Sequence, residues 1–195
     1  MPLSAPAPRK LIHTRTVTCQ GYERDDGLWD IEGHMTDVKT YTFPNRDRGG
    51  EIKAGEPVHG MWLRLTVDLE MTVHAAEAWT EYSPFSVCPE IAAAYSKLVG
   101  LRIGPGWNRR IKELFSGIKG CTHLSELLGP MATTTFQTLY KAREQNSDHL
   151  KDSASAPPLL GTCHAFDPQG EVVKWFFPTF AQSQQTAQEA EASPQ

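Results

Sequence analysis

A chain of 195 residues with 39% hydrophobic content can bury one sizeable core without disulfide staples, so a single domain with tails is expected. Its 19 Lys+Arg against 23 Asp+Glu give a net charge of -4 and a pI near 6.0, without the basic excess of a nucleic-acid binder. No apolar run approaches the roughly 18 to 20 residues that cross a bilayer, and no apolar segment follows the N-terminal charges. A soluble cytoplasmic protein with neither membrane nor nucleic-acid partners is expected.

In chain order, residues 1–10 are Pro/Ala-rich and read as a disordered arm, residues 11–180 as one α+β domain, and residues 181–195 as a disordered polar tail. The stretch TRTVTCQGYERDDGLWDIEGHMTDVKTYTF predicts two strands around Asp25-Asp26-Gly27, because Asp-Gly supplies the positive φ of a tight turn. In the second strand Trp29, Ile31, Met35, Tyr41 and Phe43 share one parity, and Asp37 shares it too. A carboxylate on an apolar face needs a partner.

Beyond a polar loop, VHGMWLRLTVDLEMTVHAAEAWTEY alternates, with His59, Met61, Leu63, Leu65 and Val67 on one face. That reads as one long strand or as a hairpin turning near Asp68 to Glu70. The period then changes to helical: Ile91, Ala94, Tyr95 and Leu98 recur behind Pro89, with Cys88 at the N-cap and Gly100 at the exit. A short helix over NRRIKELFSG follows, and then a longer one carrying Leu124, Leu127, Leu128, Met131 and Leu139, which Pro130 should kink or split. NSDHLKDSASAPP reads as a linker, and GTCHAFDPQGEVVKWFFP as a terminal hairpin returning to the sheet. The expected fold is therefore an antiparallel sheet from the N-terminal half packed on about three C-terminal helices.

Cys19, Cys88, Cys121 and Cys163 are widely spaced, so reduced thiols are expected rather than disulfides. Cys88 and Cys121 lie at predicted helix starts, where unpaired N–H groups favour a thiolate. With His59 and His123 they form a candidate metal set, His59, Cys88, Cys121 and His123, of soft N/S ligands suited to zinc or iron. The alternative is packed cysteines and hydrogen-bonded histidines at the edge of the core. Asp37 and Asp26, with His59 and His123, are the candidate acid/base residues, although most acids of DDGLWDIEGHMTD fit an exposed turn. Trp29, Trp62 and Trp107 are candidate walls of an apolar substrate pocket, against a default of core packing. No motif for a nucleotide or flavin is present in GIKG or RIGPG.

The segments GYERDDGLWDIEGHMTDVK, VHGMWLRLTVD, CPEIAAAYSKLVG, GCTHLSELL and TCHAF together resemble a bacterial family of uncharacterised proteins, domain of unknown function 2889, from about Arg15 to Pro178. The order of elements also resembles, more faintly, the U-type iron–sulfur cluster assembly scaffolds. That second resemblance implies ligand places at His59, Cys88, and Cys121 or His123, with His59-Gly60 standing where the scaffolds carry Cys-Gly-Asp. Loss of that thiolate suits a mononuclear metal better than a cluster.

Three functions follow as expectations. One is an enzyme of lyase or hydrolase type acting on a small aromatic or acyl substrate; the others are a carrier of metal or sulfur and a non-catalytic interaction domain. A small-molecule substrate is the expected partner, and a homo-oligomer is compatible with the sequence.

Overall fold

The Asp25–Gly27 turn forms as the sequence predicts: Gly27 has φ 81° and its N–H donates to the Arg24 carbonyl at 3.3 Å. It joins β1 (His13–Glu23) to β2 (Trp29–Lys39) in an antiparallel pair that runs without a bulge from Glu23 opposite Trp29 to His13 opposite Lys39. The computed structural model describes residues 3–146 and 159–192, with side chains as far as 186. The chain divides into two compact units, residues 1–139 and 140–195.

In the first unit, β3 (Phe43–Asn45) and β4 (Gly50–Ile52) make a small ribbon, and β5 (Pro57–Val67) and β6 (Val73–Tyr82) complete a sheet of order β1-β2-β5-β6. The β5–β6 turn falls at Asp68 to Met71, where the Met71 N–H donates to the Asp68 carbonyl at 3.0 Å. Tyr41 and Phe43 lie beyond the end of β2, and Tyr41 is exposed.

Alternation divides the sheet into two faces. The inner face carries Ile31, Met35, Met61, Leu63 and Leu65, all buried, and each such side chain contributes about 1.5 to 3 kcal/mol relative to exposure. On the outer face His34 stacks on Trp62 with ring centroids 3.7 Å apart, and Arg64 bridges Glu32 and Glu77.

Helices cover the inner face. Residues Cys88–Leu98 form a 3-10 helix rather than an α-helix, burying Tyr95 and Leu98. Then come α1 (Trp107–Phe115) and α2 (Thr122–Asn146), which buries Leu124, Leu127, Leu128, Met131 and Leu139. Pro130 does not split α2: it sits on the exposed side of a helix whose opposite side is anchored by those buried neighbours. The close approach of α2 needs glycine on the sheet: a Cβ on Gly33 would lie 2.6 Å from Met131 Sδ, and one on Gly21 would lie 1.9 Å from Thr138 Oγ1. These contacts set α2 antiparallel to β2, with its first turn at the Asp37 end. The architecture is α+β.

In the second unit the expected terminal hairpin is absent. The turn at Asp167 to Gly170 forms, with the Gly170 N–H on the Asp167 carbonyl at 2.8 Å, but α3 (Glu171–Phe176) and α4 (Pro178–Ala192) follow it. Val173, Phe177 and Phe180 recur at helical spacing and bury together against Leu159, Leu160 and Phe166. That stripe, not an alternation, decides the local structure. Most of the expected linker, residues 147–158, and the last three residues lie outside the described residues. Among the described residues no helix is long and apolar enough to cross a membrane.

Candidate active site

Register alone brings the first three functional side chains together. Arg15 on β1 stands opposite Asp37 on β2, and Asp37 stands opposite His59 on β5, all on the inner face. Asp37 is 3% exposed, so its carboxylate requires protein partners. Arg15 supplies a fork, Nε to Oδ1 and Nη2 to Oδ2, both at 2.8 Å. His13 Nε2 reaches Oδ1 at 2.8 Å, and His59 Nδ1 reaches Oδ2 at 3.0 Å. Each oxygen thus accepts two hydrogen bonds, which fills the acceptor capacity of the group.

The first turn of α2 adds the remaining members. His123 stacks on His59 with centroids 3.7 Å apart and planes 29° from parallel, its Nε2 3.9 Å from Asp37 Oδ2. Cys121 Sγ lies 3.9 Å from His123 Nδ1, and Glu126 on α2 accepts from Arg15 Nη1. Buried Tyr95 fixes this turn. Its hydroxyl donates to the Cys121 carbonyl at 2.8 Å and accepts from the Cys121 N–H at 3.0 Å and from the Ser125 hydroxyl at 2.7 Å.

Burial pushes the Asp37 carboxyl up, but the Arg15 fork, with His13 and His59, outweighs it and holds the group far below the usual carboxylate range. Burial lowers both His59 and His123 from their ordinary value; the neighbouring His123 lowers His59 further and Arg15 lowers His123, while Asp37 opposes the shift at each. An ionised carboxylate only accepts, so the His59 Nδ1 bonded to it carries hydrogen. In the neutral ring this leaves the lone pair on Nε2, the tautomer of a general base.

Of the residues singled out in the sequence, Asp37, His59 and His123 meet: they alone, among the described residues, place metal-capable atoms within 4.8 Å of one another. Asp26 does not join them. It lies in the turn, paired with Arg24 at 2.6 Å and half exposed, about 25 to 30 Å along the strand at about 3.3 Å per residue. Cys88 belongs to no such group, and its N–H already donates to the Phe85 carbonyl at 3.1 Å, so it is not an open helix cap. Cys121 touches the cluster only through His123.

The three tryptophans line no common pocket. Trp29 and Trp107 are core, the latter donating Nε1–H to the Leu128 carbonyl at 3.2 Å, whereas Trp62 faces outward on the other side of the sheet and donates to Glu81 at 2.9 Å. Sequence reasoning missed Arg15, His13 and Glu126 as partners. A signal existed for Arg15: counting outward from the Asp25–Gly27 turn sets position 15 across from position 37.

Residues 13–137 match the model of DUF2889, described as a protein of unknown function. The chain belongs to the DUF2889 family. The matched segment begins at His13 and contains every member of the Asp37 cluster, whereas the second unit, with Cys163 and His164, lies beyond its end. No curated protein and no solved structure matches the chain. Cys88 stands apart, so the ligand set implied by the scaffold resemblance is not assembled in this DUF2889 chain.

Proposed function

We propose that the His59–His123–Asp37 cluster is the acid–base centre of a small-molecule enzyme, a hydrolase or lyase acting on a small acyl or aromatic compound. The observation that supports it most is the buried, fully hydrogen-bonded Asp37 holding His59 with Nε2 free, beside a second histidine biased to the neutral form. Such a carboxylate orients the base and stabilises the imidazolium that forms during proton transfer.

For a hydrolytic step His59 Nε2 takes a proton from water as the water oxygen bonds to the acyl carbon. The bond to the leaving group then breaks and the leaving group takes that proton back. In a lyase step the same atom takes a proton from carbon, the freed C–H electron pair forms a double bond as the bond to the leaving group on the neighbouring carbon breaks, and the departing group takes the proton from His59 Nε2. Arg15 keeps Asp37 ionised throughout, and Glu126 balances the guanidinium.

Hydrolysis of p-nitrophenyl acetate and p-nitrophenyl benzoate tests the reading. Wild type should release p-nitrophenol about 100-fold faster than His59→Gln, the loss typical of a general base, with the circular dichroism unchanged. Equal rates from two folded proteins would overturn it.

A second reading, a mononuclear metal on Asp37, His59 and His123, is favoured by their grouping within 4.8 Å. Zinc or iron is the candidate ion by donor type. Two observations count against it: both Asp37 oxygens are saturated, and rings stacked at 29° do not share a point roughly 2.0 to 2.1 Å along both nitrogen lone pairs. One imidazole has to turn out of the stack to bind. Near-stoichiometric metal in untagged protein by elemental mass spectrometry, lost in a His59→Ala, His123→Ala double variant, would establish this reading.

A further inference from the structure

The two edges of the sheet are treated differently. β6 is covered at its start, where the Val73 N–H donates to the Leu101 carbonyl, the Gly100 N–H to the Val73 carbonyl, and Thr72 bridges to Arg102. β1 ends the sheet with no strand on its far side among the described residues, and ten of its eleven residues are exposed, including Val17 and Tyr22. An edge this long normally carries proline, lysine, a bulge or free charges against unwanted pairing; HTRTVTCQGYE has no proline, lysine or bulge, its inward Arg15 is neutralised by Asp37 and Glu126, and Glu23 stands at its last position.

The phase of its free hydrogen-bonding groups is fixed. The Arg24 N–H donates to the Leu28 carbonyl and the Thr40 N–H to the Ile12 carbonyl, and the register between these two bonds is unbroken. Even-numbered residues of β1 therefore turn their backbone groups toward β2. Those of His13, Arg15, Val17, Cys19, Gly21 and Glu23 point outward, and none is a proline.

We propose that β1 pairs antiparallel with β1 of a second copy about a two-fold axis through Thr18, merging two four-stranded sheets into one continuous sheet. This centre is the one that overlaps all eleven residues while setting odd positions opposite odd, so every outward N–H and C=O is satisfied. It places Arg15, whose guanidinium stays on Asp37 and Glu126, against Gly21, which has no side chain to meet it, and Val17 against Cys19. At each end it sets His13 opposite Glu23 of the partner subunit. A carboxylate from the second copy thus arrives beside the histidine that holds Asp37 Oδ1, and the partner completes the surroundings of the site. The pairing stands independently of the acid–base reading.

At the axis the two Thr18 residues form a non-hydrogen-bonded pair with Cα atoms about 4.5 Å apart, within disulfide reach. Thr16 faces Gln20 instead, and the two Thr16 residues stand about 13 Å apart along the strands. Sedimentation of wild type should give a two-chain mass. Oxidised Thr18→Cys should run as a covalent dimer well above the wild-type background on a non-reducing gel, and Thr16→Cys should not. A one-chain mass overturns the proposal, as does a two-chain species that Thr18→Cys fails to lock or that Thr16→Cys locks equally well.

Discussion

The β1–β2 hairpin carries an arginine–carboxylate cluster at each end, and the two behave differently. At the turn, Arg24 pairs with Asp26 and Asp30 in reach of water; at the open end, Arg15 pairs with Asp37 under α2. The turn holds more acids, yet the open end gathers three histidines. Burial makes the difference: it removes water as an alternative partner, so the carboxylate has to organise protein groups around itself.

The largest separation between the ends should come from deleting each carboxylate. Asp37→Ala leaves His13 and His59 without their acceptor and Arg15 with Glu126 alone, and is expected to cost about 3 kcal/mol, the low end for a broken buried pair. Asp26→Ala should cost under about 1 kcal/mol, as for an exposed pair. Urea unfolding of both variants measures this, and equal losses would break the comparison.

Gly33→Ala follows in size. Its methyl group would meet Met131 Sδ at 2.6 Å, and overpacking of this kind costs about 1 to 3 kcal/mol. Because the helix above Gly33 carries His123, the His59–His123 stack should loosen as well, visible as changed histidine resonances by NMR.

A third and smaller effect is on pH dependence, and its sign is set by lowered folded-state values at all three groups. His59 and His123 sit below their ordinary 6.5, so their contribution is full above that pH and is lost as pH falls below it. Asp37 sits below its ordinary 3.8, so its contribution persists until the pH falls under that value. Stability should therefore decline in two steps on acidification. Asp37→Asn should shrink the more acid step, to which the lowered Asp47 and Asp68 also contribute, and an acid step of unchanged size in thermal unfolding across the pH range would show the assignment wrong. Asp26→Asn, at the smallest end, should leave the midpoint nearly unchanged.

The strands were legible because alternation in WDIEGHMTD and HGMWLRLTV is clean, and Asp37 was legible because it breaks that alternation on the apolar face. His59 and His123 were legible as candidates through their neighbours in the pattern. Cys88 misled, since a helix start inferred from Pro89 became a 3-10 turn whose first N–H was already paired. The tryptophans misled because residue type does not say which side of a sheet a ring faces; parity does, and it sets Trp62 opposite to Trp29. Val173, Phe177 and Phe180 fit helical spacing, but the aromatic run around them reads equally as a strand.

The unbroken register of the hairpin makes the Asp25–Gly27 turn the ruler of a site at the other end of both strands. Substitutions in that turn should be absorbed, but a change in its length should not. One inserted residue slides β1 by one position, turns Arg15 to the opposite side of the sheet and leaves Asp37 facing a threonine. Descendants of this chain are therefore free to vary the letters of the turn and are held to its length.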